Sequence, residues 1–383
     1  MASTATEHPS LNQFSIEGLR GVGHVELDFH SGQRVYTLFG ANGIGKTKCL
    51  EAIYQILLLT NSTFNADDLN REIEPSALLF DELTVRSTSI GLSRKTLGLY
   101  LKKGIGLHGS PAVLVAAHGR SNISNDFSRS SFLGDFSTRR HKYFEGQSQL
   151  IYSNELRRSG MRSDILEWFV TRAQSVNPFQ KNSDNRRVEI DTVLQMLHQL
   201  DERIAANVLQ IDGGGRVFIQ VEGQMCGLTE LSSGFTSLVK LVQAIVSGYA
   251  AFTNEVQLRH VRGVVLIDEI ESHLHAQWQA QIIPKLKELL PNTTFFIATH
   301  SPLVLAQLQE GEAYLLKRDA EGVVRSEMIE APNRRAFADV LESAFGVDLN
   351  ALKRQALLAD DQSAAKLALL AMLQQPHSFG EGA

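Results

Sequence analysis

The sequence predicts an α/β fold with a mixed, largely parallel central sheet and flanking helices. A strand-like run at 35–39 leads through a glycine-rich loop into a helix-like run at 49–59, which is the strand, loop and helix order of a phosphate-binding unit. Farther along, the run 264–267 contains no polar residue, and such runs lie in the middle of buried parallel sheets. We therefore expect a fold organised around a phosphate site at the edge of a parallel sheet.

Composition and charge narrow the class of protein. With 383 residues, 43% hydrophobic and 21% charged, the chain has room for two or three domains and a substantial core. Its net charge of −5 argues against a surface devoted wholly to nucleic acid, although segment 120–187 holds 12 Lys and Arg against seven Asp and Glu, which leaves the rest at −10. It has only two cysteines, Cys49 and Cys226, a polar start and no apolar run near about 18 residues, so we expect a cytoplasmic protein without disulfides, a Cys-based zinc site or membrane contact.

The elements before the glycine-rich loop and just after it are short and regular. Apolar residues alternate at 14–18 and 24–29, which predicts two strands, and 35–39 is the third. Residues 60–224 then form a long insertion with strands, a basic loop and helical segments. Its predicted parts are strands at 83–90, 96–102 and 112–117, an exposed loop at 121–140, a segment at 163–173, an amphipathic helix at 188–208 and a hairpin at 209–223.

The second half alternates helices and strands more simply. The predicted elements are helices at 232–252 and 276–290, strands at 264–267 and 294–298, a short helix after Pro302, strands near 314–317 and 323–328, and helical segments at 334–345 and 361–373 before a loose tail. We therefore expect a discontinuous nucleotide-binding head made of residues 1–59 and 225–350. Residues 60–224 would be inserted into it, and 351–383 would form a C-terminal helix and tail.

The loop after the third strand has the pattern G-x-x-x-x-G-K-[ST]. Its residues are Gly40, Ala41, Asn42, Gly43, Ile44, Gly45, Lys46 and Thr47. Glycines in this pattern let backbone N–H groups close around phosphates, the lysine reaches the β and γ oxygens, and the hydroxyl can bind Mg²⁺. The helix that follows points its positive end at the same anion. The loop thus predicts a nucleotide site.

The apolar strand 264–267 ends in two adjacent carboxylates, Asp268 and Glu269. In a sheet with a phosphate loop, such a strand tip faces the phosphates. Asp268 can then hold the Mg²⁺ shell, while Glu269 can orient and deprotonate the attacking water. The alternative is an ordinary acidic turn after a strand.

Two further motifs are weaker when taken alone. Ser232, Ser233 and Gly234 open a helix and could bind an anion, but Ser-Ser-Gly is also a common helix cap. His300 ends the strand 294–298, where its imidazole could bond a γ-phosphate or be merely structural.

The order of these four parts along the chain resembles that of ATP-binding-cassette (ABC) ATPases. Within that class, residues 268–279, DEIESHLHAQWQ, resemble the "DE-E-HLHP-WQ" signature of ATPases related to the OLD, RecF and Rad50 proteins, often grouped as AAA-15 or AAA-21. Residues 111–120 and 166–169 are similar to that group's "YYG-x-x-R" and "L-E-W-F" segments, and 337–347 to the helix after its last strand. The resemblance covers most of residues 13–348.

The resemblance implies an ABC-type head that dimerises, or forms a larger homo-oligomer, around ATP and Mg²⁺. It assigns nucleotide binding to residues 40–47, Mg²⁺ coordination to Thr47 and Asp268, catalysis to Glu269, γ-phosphate sensing to His300, and contact with the partner subunit's nucleotide to Ser232 and Gly234. Two departures are visible. No glutamine stands where ABC ATPases carry a Mg²⁺ ligand, so that His118 or Arg120 is expected in its neighbourhood, and the Toprim nuclease segment of OLD-type proteins is missing from this sequence.

Three hypotheses for function follow. The first is a sensor or scaffold in bacterial anti-phage defence, resembling the stand-alone ATPases of the PARIS and Septu systems and acting with a separate Toprim or HNH nuclease. The second is a DNA-repair ATPase resembling RecF and Rad50, which would bind duplex DNA through the basic segment 120–187. The third is a membrane-transporter ATPase, which the 273–279 segment and the long insertion argue against.

Overall fold

The computed structural model describes residues 11–66, 75–85, 88–91, 107–123, 132–161 and 165–334. The chain divides into two compact units, residues 1–334 and 335–383. In the second unit only residues 348, 351 and 353–355 are described, and there the Asp348 carboxylate accepts a hydrogen bond from the Ala351 amide at 2.8 Å. The strand expected at 96–102 and most of the C-terminal helical segments lie outside the described residues.

Thirteen strands and nine α-helices are described. The strands are β1 (Gln13–Leu19), β2 (Gly23–Asp28), β3 (Val35–Phe39), β4 (Glu82–Val85), β5 (Thr88–Gly91), β6 (Ala112–Val115), β7 (Ile204–Ile211), β8 (Val217–Val221), β9 (Gln224–Gly227), β10 (Gly263–Ile267), β11 (Thr293–Ala298), β12 (Ala313–Arg318) and β13 (Val324–Met328). The helices are α1 (Lys46–Leu59), α2 (Ser62–Ala66), α3 (Phe136–Tyr152), α4 (Ile165–Gln174), α5 (Arg187–Leu200), α6 (Ser233–Phe252), α7 (Ala276–Gln279), α8 (Ile282–Leu289) and α9 (Pro302–Leu305).

Ten strands form one mixed sheet, in the order β5-β4-β1-β2-β13-β12-β3-β11-β10-β6. The five strands from β12 to β6 are parallel to one another, and β13 is also parallel to β2, whereas β12 with β13 and the pairings among β2, β1, β4 and β5 are antiparallel. Strands β7, β8 and β9 form a separate antiparallel sheet. The predicted α/β fold with a mixed central sheet is confirmed.

The parallel strands end at a common edge. In register, Ile267 of β10 pairs with Val115 of β6 and Ile297 of β11, while Ala298 pairs with Leu38 of β3. All residues of β3, β6 and β10 are buried, as expected for strands covered on both faces. The residues that follow Phe39, Val115, Ile267 and Ala298 are therefore brought to one place.

Two helices dominate the packing on the parallel strands. Helix α1 leaves the glycine-rich loop, packs on β6, β10 and β11, and has its apolar side chains buried from Cys49 to Leu59. Helix α6 packs against β6, α3 and α5. It is long and apolar enough to cross a membrane by length and composition, but 89% of its apolar window is buried inside the protein, as in the core helix of a globular domain.

Two predicted helices differ in extent from the structure. The helix expected at 188–208 ends at Leu200, because the Asp201 carboxylate accepts hydrogen bonds from the Arg203 amide and the Trp278 indole N–H, and the chain continues as β7. The apolar spacing that extended the prediction past Leu200 comes from strand residues that pair with β8. The helix expected at 276–290 is interrupted at Ala280 and Gln281.

The loop expected at 121–140 is helical from Phe136 onward. Asp135 caps α3, since its carboxylate accepts a hydrogen bond from the Thr138 amide at 2.8 Å. The part of this helix inside 121–140 is residues 136–140, which contain one apolar residue, so that periodicity gave no helical signal there. Strands β4, β5 and β6, which come from the segment predicted as an insertion, lie in the same sheet as the head strands.

Candidate functional site

The glycine-rich loop lies between β3 and α1, and two of its glycines are required by close contacts. Gly45 has φ +111°, and a Cβ there would lie 2.7 Å from a methyl group of Val22. Gly40 has φ +140°, and a Cβ there would lie 2.8 Å from the Leu316 carbonyl oxygen. Both positions combine a backbone that favours glycine with no space for a side chain. The loop is thereby held between the β1–β2 turn and β12.

The mouth of the loop is open and its base is anchored. Ala41, Asn42 and Gly43 are exposed, whereas Ile44 packs against the core. Helix α1 begins without a side-chain cap on its first-turn amides. Those N–H groups are thus available to an anion at the positive end of the helix.

Lys46 is buried in this loop. Its ammonium donates hydrogen bonds to the carbonyls of Gly40 (2.8 Å) and Ala41 (3.0 Å). Burial lowers the pKa of Lys46 to about 8, against the charges of Asp268, Glu271 and Glu269, which raise it. The side chain therefore remains mostly protonated at neutral pH.

Thr47 and Asp268 meet at the head of α1. The Thr47 hydroxyl lies 3.0 Å from each oxygen of the Asp268 carboxylate, although 221 residues separate them in sequence. Asp268 is buried, and burial raises its pKa to about 6, opposed by the Thr47 hydrogen bond and by the Arg120 charge. The structure thus brings together the two residues that the sequence predicted to share a Mg²⁺ ion.

An oxygen donor pair of this kind fits Mg²⁺, which prefers carboxylate, hydroxyl, water and phosphate oxygens. Within the described part of the chain, no group of three or more His, Cys, Asp or Glu side chains could hold a metal ion by itself.

Glu269 follows at the tip of β10 with an exposed side chain. Its φ of +43° is unusual for a residue with a side chain. Strained backbone of this kind persists only where the surrounding structure holds it, and it is concentrated at functional sites. This backbone conformation directs the Glu269 side chain toward solvent while the Asp268 side chain stays buried.

His300 is half-buried at the end of β11, and its pKa is lowered by burial and by the charge of Lys46. Glu271 connects it to the acidic turn: its carboxylate accepts hydrogen bonds from the His300 amide (2.6 Å) and the Thr299 hydroxyl (2.5 Å). Sequence reasoning missed this role of Glu271. The only signal was its place two residues after Glu269 in the family signature.

Ser232, Ser233 and Gly234 lie at the start of α6, where the Ser232 hydroxyl caps the helix and both serines are exposed. The Ser232 hydroxyl accepts from the Phe235 amide of the same helix at 3.5 Å, and among the described residues neither serine forms a hydrogen bond with the loop 40–47. A Cβ on Gly234 would lie 2.8 Å from the Trp278 ring and 3.1 Å from the His273 carbonyl oxygen. Gly234 is therefore required by its close approach to the segment 273–278.

The neighbourhood after β6 contains Arg120 rather than a glutamine. Arg120 is 1% exposed and its guanidinium donates to the backbone carbonyls of Asp268 (2.6 Å) and Glu269 (2.9 Å). His118 is exposed on the same loop. Of the two residues considered there from sequence, Arg120 contacts the acidic turn.

Comparison with known proteins gives matches over part or most of the chain. Residues 228–306 match a family described as "AAA domain, putative AbiEii toxin, Type IV TA system". The chain is 23% identical over 88% of its length to the "Septu protein PtuA" of Bacillus thuringiensis, of which it covers 84%. It is also 23% identical over 81% of its length to a "Septu protein PtuA" of Bacillus mycoides, of which it covers 41%. It is 39% identical over 22% of its length to a "Retron Vc95 probable ATPase" of Vibrio cholerae, covering 16% of that protein.

Among solved structures, an Smc head domain with an extended coiled coil from Pyrococcus furiosus matches 83% of this chain and 96% of that one, with 12% identity and a TM-score of 0.45. A TM-score below 0.5 does not establish a shared fold, so the fold assignment depends on the strand order given above. The resemblance predicted from sequence is confirmed: the chain is similar to the Septu PtuA proteins and to a retron ATPase, and residues 228–306 match an AAA domain.

Proposed function

We propose that this protein binds and hydrolyses ATP with Mg²⁺, that two or more copies close around the nucleotide, and that the assembly is a sensor or scaffold controlling a separate effector nuclease in bacterial anti-phage defence. The observation that supports hydrolysis most directly is the contact of Thr47 with Asp268 at the head of α1, between the buried Lys46 and the exposed Glu269.

The loop residues provide binding. Backbone amides of 40–47 and the first turn of α1 suit phosphate oxygens, and Lys46 can exchange its two carbonyl acceptors for the β and γ oxygens. Thr47 and Asp268 would hold Mg²⁺, which when bound offsets the charge that develops on the phosphates. Asp268 is mainly ionised at neutral pH, since its pKa is about 6.

The residues at the strand tips provide the chemistry. Glu269 is the general base for the attacking water, because its carboxylate is exposed beside the Asp268 position. His300 donates a hydrogen bond to the γ-phosphate, and Glu271 fixes the peptide that carries it. A neutral imidazole can donate one such bond and accept another.

The assembly part of the proposal follows from the exposed start of α6. Ser232 and Ser233 are exposed and form no hydrogen bond with the loop 40–47 among the described residues. A second copy could place them against the first copy's nucleotide, as the ABC resemblance implies, and each site would then be built from two chains. Gly234 lets this helix start lie close to the 273–278 segment.

The defence role rests on the similarity to Septu PtuA and retron ATPases. We expect a cytoplasmic complex with a Toprim or HNH nuclease. Copurification with the products of neighbouring genes tests this, followed by a nuclease assay with ATP and with a non-hydrolysable analogue. If no nuclease copurifies and none of the neighbours' products is activated, the effector part of the proposal is wrong.

The DNA-repair alternative loses part of its support, because three of the ten described Lys and Arg residues in 120–187 are buried. Arg120, Arg139 and Arg186 are buried, and Arg172 lies 2.8 Å from Glu189. The exposed candidates for phosphate contacts among the described residues are Lys142, Arg157, Arg158, Lys181 and Arg187. Alanine at Lys142 and Lys181 would flatten the salt dependence of DNA binding if duplex DNA lies there.

Substitution of the candidate base and of the loop lysine separates binding from hydrolysis. We expect Glu269→Gln to lower kcat for ATP by about 10²-fold or more while retaining nucleotide and accumulating the closed assembly. Lys46→Ala should abolish nucleotide binding, which equilibrium binding of a fluorescent ATP analogue measures.

Glu145→Gln, at an exposed position on α3, is the matched control and should turn over normally. Wild-type turnover by the Glu269→Gln protein would remove Glu269 from the mechanism. Absence of ATP hydrolysis by the wild type in every assembly state would overturn the enzymatic proposal.

A further inference from the structure

Arg120 is the largest fully buried side chain in the described part of the chain. Among the described residues, its guanidinium hydrogen-bonds only to backbone carbonyls: those of Val115 (3.4 Å) and Ala116 (3.0 Å) at the end of β6, and those of Asp268 (2.6 Å) and Glu269 (2.9 Å) after β10. One planar group therefore joins the ends of two neighbouring parallel strands.

Burial of an arginine costs more free energy than burial of an apolar side chain of similar volume. Taking a guanidinium out of water costs several kcal/mol unless it is compensated, and apolar residues of similar volume are often at least as stabilising. Here no carboxylate lies within ion-pair distance of Arg120 among the described residues, and the charges of Asp268, Glu271 and Glu269 act on it from farther away. The carbonyl dipoles and these nearby charges together offset its desolvation.

The Arg120 side chain stays charged in this setting. Burial lowers its pKa to about 10, against the carboxylates that raise it, so it carries its proton at any pH where the protein would work. A rigid fork of donors is what distinguishes Arg from Lys at such a place.

The carbonyls that Arg120 holds belong to the peptides on either side of the candidate catalytic residue. The Glu269 carbonyl accepts from Arg120 and also from the Ser272 amide at 2.8 Å. With both bonds in place, the peptide after Glu269 has a fixed orientation, and so has the peptide after Asp268. The φ of +43° at Glu269 lies between these two fixed peptides.

We propose that Arg120 is a positioning residue for the hydrolysis proposed above, on which this inference rests: by binding the Asp268 and Glu269 carbonyls it holds the strained turn that directs one carboxylate to Thr47 and the other to solvent. It touches neither nucleotide nor water. Its effect on turnover passes through the backbone of Glu269.

A second buried cation fixes the loop that carries Arg120. Lys240 of α6 donates to the Gly119 carbonyl at 2.9 Å and to the Asn122 carbonyl. The loop 116–122 is thus held to the catalytic turn by Arg120 and to α6 by Lys240. This explains how an arginine on a connecting loop keeps a constant position.

Substitution by Lys and by Gln tests the proposal. Lys keeps the charge and nearly the length but has no planar fork, and Gln keeps a donor without the charge. We expect Arg120→Lys to lower kcat for ATP by about tenfold to a hundredfold with KM changed less than about threefold, since misplacing a catalytic group affects the chemical step more than binding.

Arg186 provides the matched control, because it is also a buried arginine, 2% exposed, but bonds Glu189 and the Asn254 carbonyl instead of the acidic turn. Arg186→Lys should share any general loss of stability and leave kcat within about twofold. Equal falls in kcat for the two substitutions would overturn the proposal.

Combination with Glu269→Gln gives a readout that a merely structural role would not move. If Arg120 acts through Glu269, Arg120→Lys should lower kcat in the wild-type background and have little further effect in the Glu269→Gln background. Full additivity of the two substitutions contradicts the proposal.

Hydrogen exchange of the peptide 268–274 tests the clamp without the reaction. We expect faster exchange there in Arg120→Lys and Arg120→Gln, and unchanged exchange in Arg186→Lys. If exchange accelerates as expected but the wild type does not hydrolyse ATP, the clamp stands and the proposed function fails. If exchange of this turn is unchanged while wild-type hydrolysis is normal, the clamp is wrong and the proposed function stands.

Discussion

At the residue scale, the buried carboxylate of Asp268 lowers the stability of the folded protein while it serves the candidate site. Its carboxyl is 7% exposed, and burial raises its pKa to about 6 although Thr47 and Arg120 lower it. The folded state therefore holds this proton more tightly than the unfolded chain, whose Asp pKa is about 3.9. The contribution of Asp268 to the free energy of unfolding must then fall as pH rises through the interval from about 4 to about 6, and it stays reduced above that interval.

Removal of this charge should stabilise the protein while destroying its activity. A difference of about two pKa units corresponds to about 3 kcal/mol for the ionised Asp268 at neutral pH. We therefore expect Asp268→Asn to raise the free energy of unfolding by about 1 to 3 kcal/mol at pH 7.5, with a much smaller gain at pH 4.5, and to abolish Mg²⁺-dependent hydrolysis. Urea unfolding at the two pH values, without nucleotide, measures the gain.

Glu269→Gln is the comparison, because the Glu269 side chain is exposed and its replacement should change stability little. An Asp268→Asn protein less stable than the wild type at pH 7.5 would contradict the argument, since it would mean that the ionised carboxylate contributes net stability.

The sequence could predict Lys46, Thr47 and Asp268 because each belongs to a short motif whose chemistry is local. It could not predict the bonds of Arg120 and Glu271. Arg120 binds the backbone carbonyls of Asp268 and Glu269, which lie 148 and 149 positions farther along the chain. Every residue type has a backbone carbonyl, so the sequence does not reveal which ones accept such a bond. Such residues become visible only once the strand order of the sheet is known.

At the scale of elements, the prediction failed where polar contacts determine the residue at which a helix ends. Helix α5 stops at Leu200 because Asp201 is drawn to Arg203 and to the Trp278 indole, from a segment more than 70 residues away. Propensity and periodicity carry no information about such a partner. Strands β3, β10 and β11 and helix α1 were predicted well because burial between layers of the sheet imposes their pattern directly.

The helices of the region between the loop and α6 are fastened by a buried ion cluster, and this yields an element-scale prediction. Glu189 on α5 is fully buried and lies 2.8 Å from Arg172 of α4 and 2.7 Å from Arg186. Glu189→Ala would leave two arginines without their carboxylate, and we expect a loss of about 3 to 5 kcal/mol in unfolding free energy. Urea unfolding monitored by Trp168 fluorescence would measure it, since Arg172 lies over that ring.

Glu155→Ala is the control for this loss. Glu155 pairs with Arg158 at 3.3 Å, but both side chains are substantially exposed, so the change should be within about 0.5 kcal/mol. Similar losses for the two substitutions would show that the buried cluster contributes no more than a surface ion pair.

For the whole molecule, the decisive question is whether one chain contains a complete site. Lys46, Thr47, Asp268, Glu269 and His300 converge at one edge of the sheet, whereas the exposed serines that open α6 form no hydrogen bond with the loop 40–47 among the described residues. In a closed pair of copies, each site would take its loop from one chain and its serine-capped helix from the other.

Two inactive variants should therefore restore each other. Lys46→Ala removes phosphate binding, and Ser232→Arg places a bulky cation at the exposed helix start. Each alone should be inactive, but a mixed dimer pairs the intact loop of the Ser232→Arg chain with the intact helix of the Lys46→Ala chain. If an equal mixture exchanges freely, half of the dimers are mixed and each has one intact site, so activity should return to about a quarter of the wild-type rate. Ser137→Arg, at an exposed serine in the first turn of α3, should remain active alone, which controls for the bulk of the arginine. If the mixture stays inactive although cross-linking shows mixed dimers, each chain must complete its own site, and the shared arrangement would be wrong.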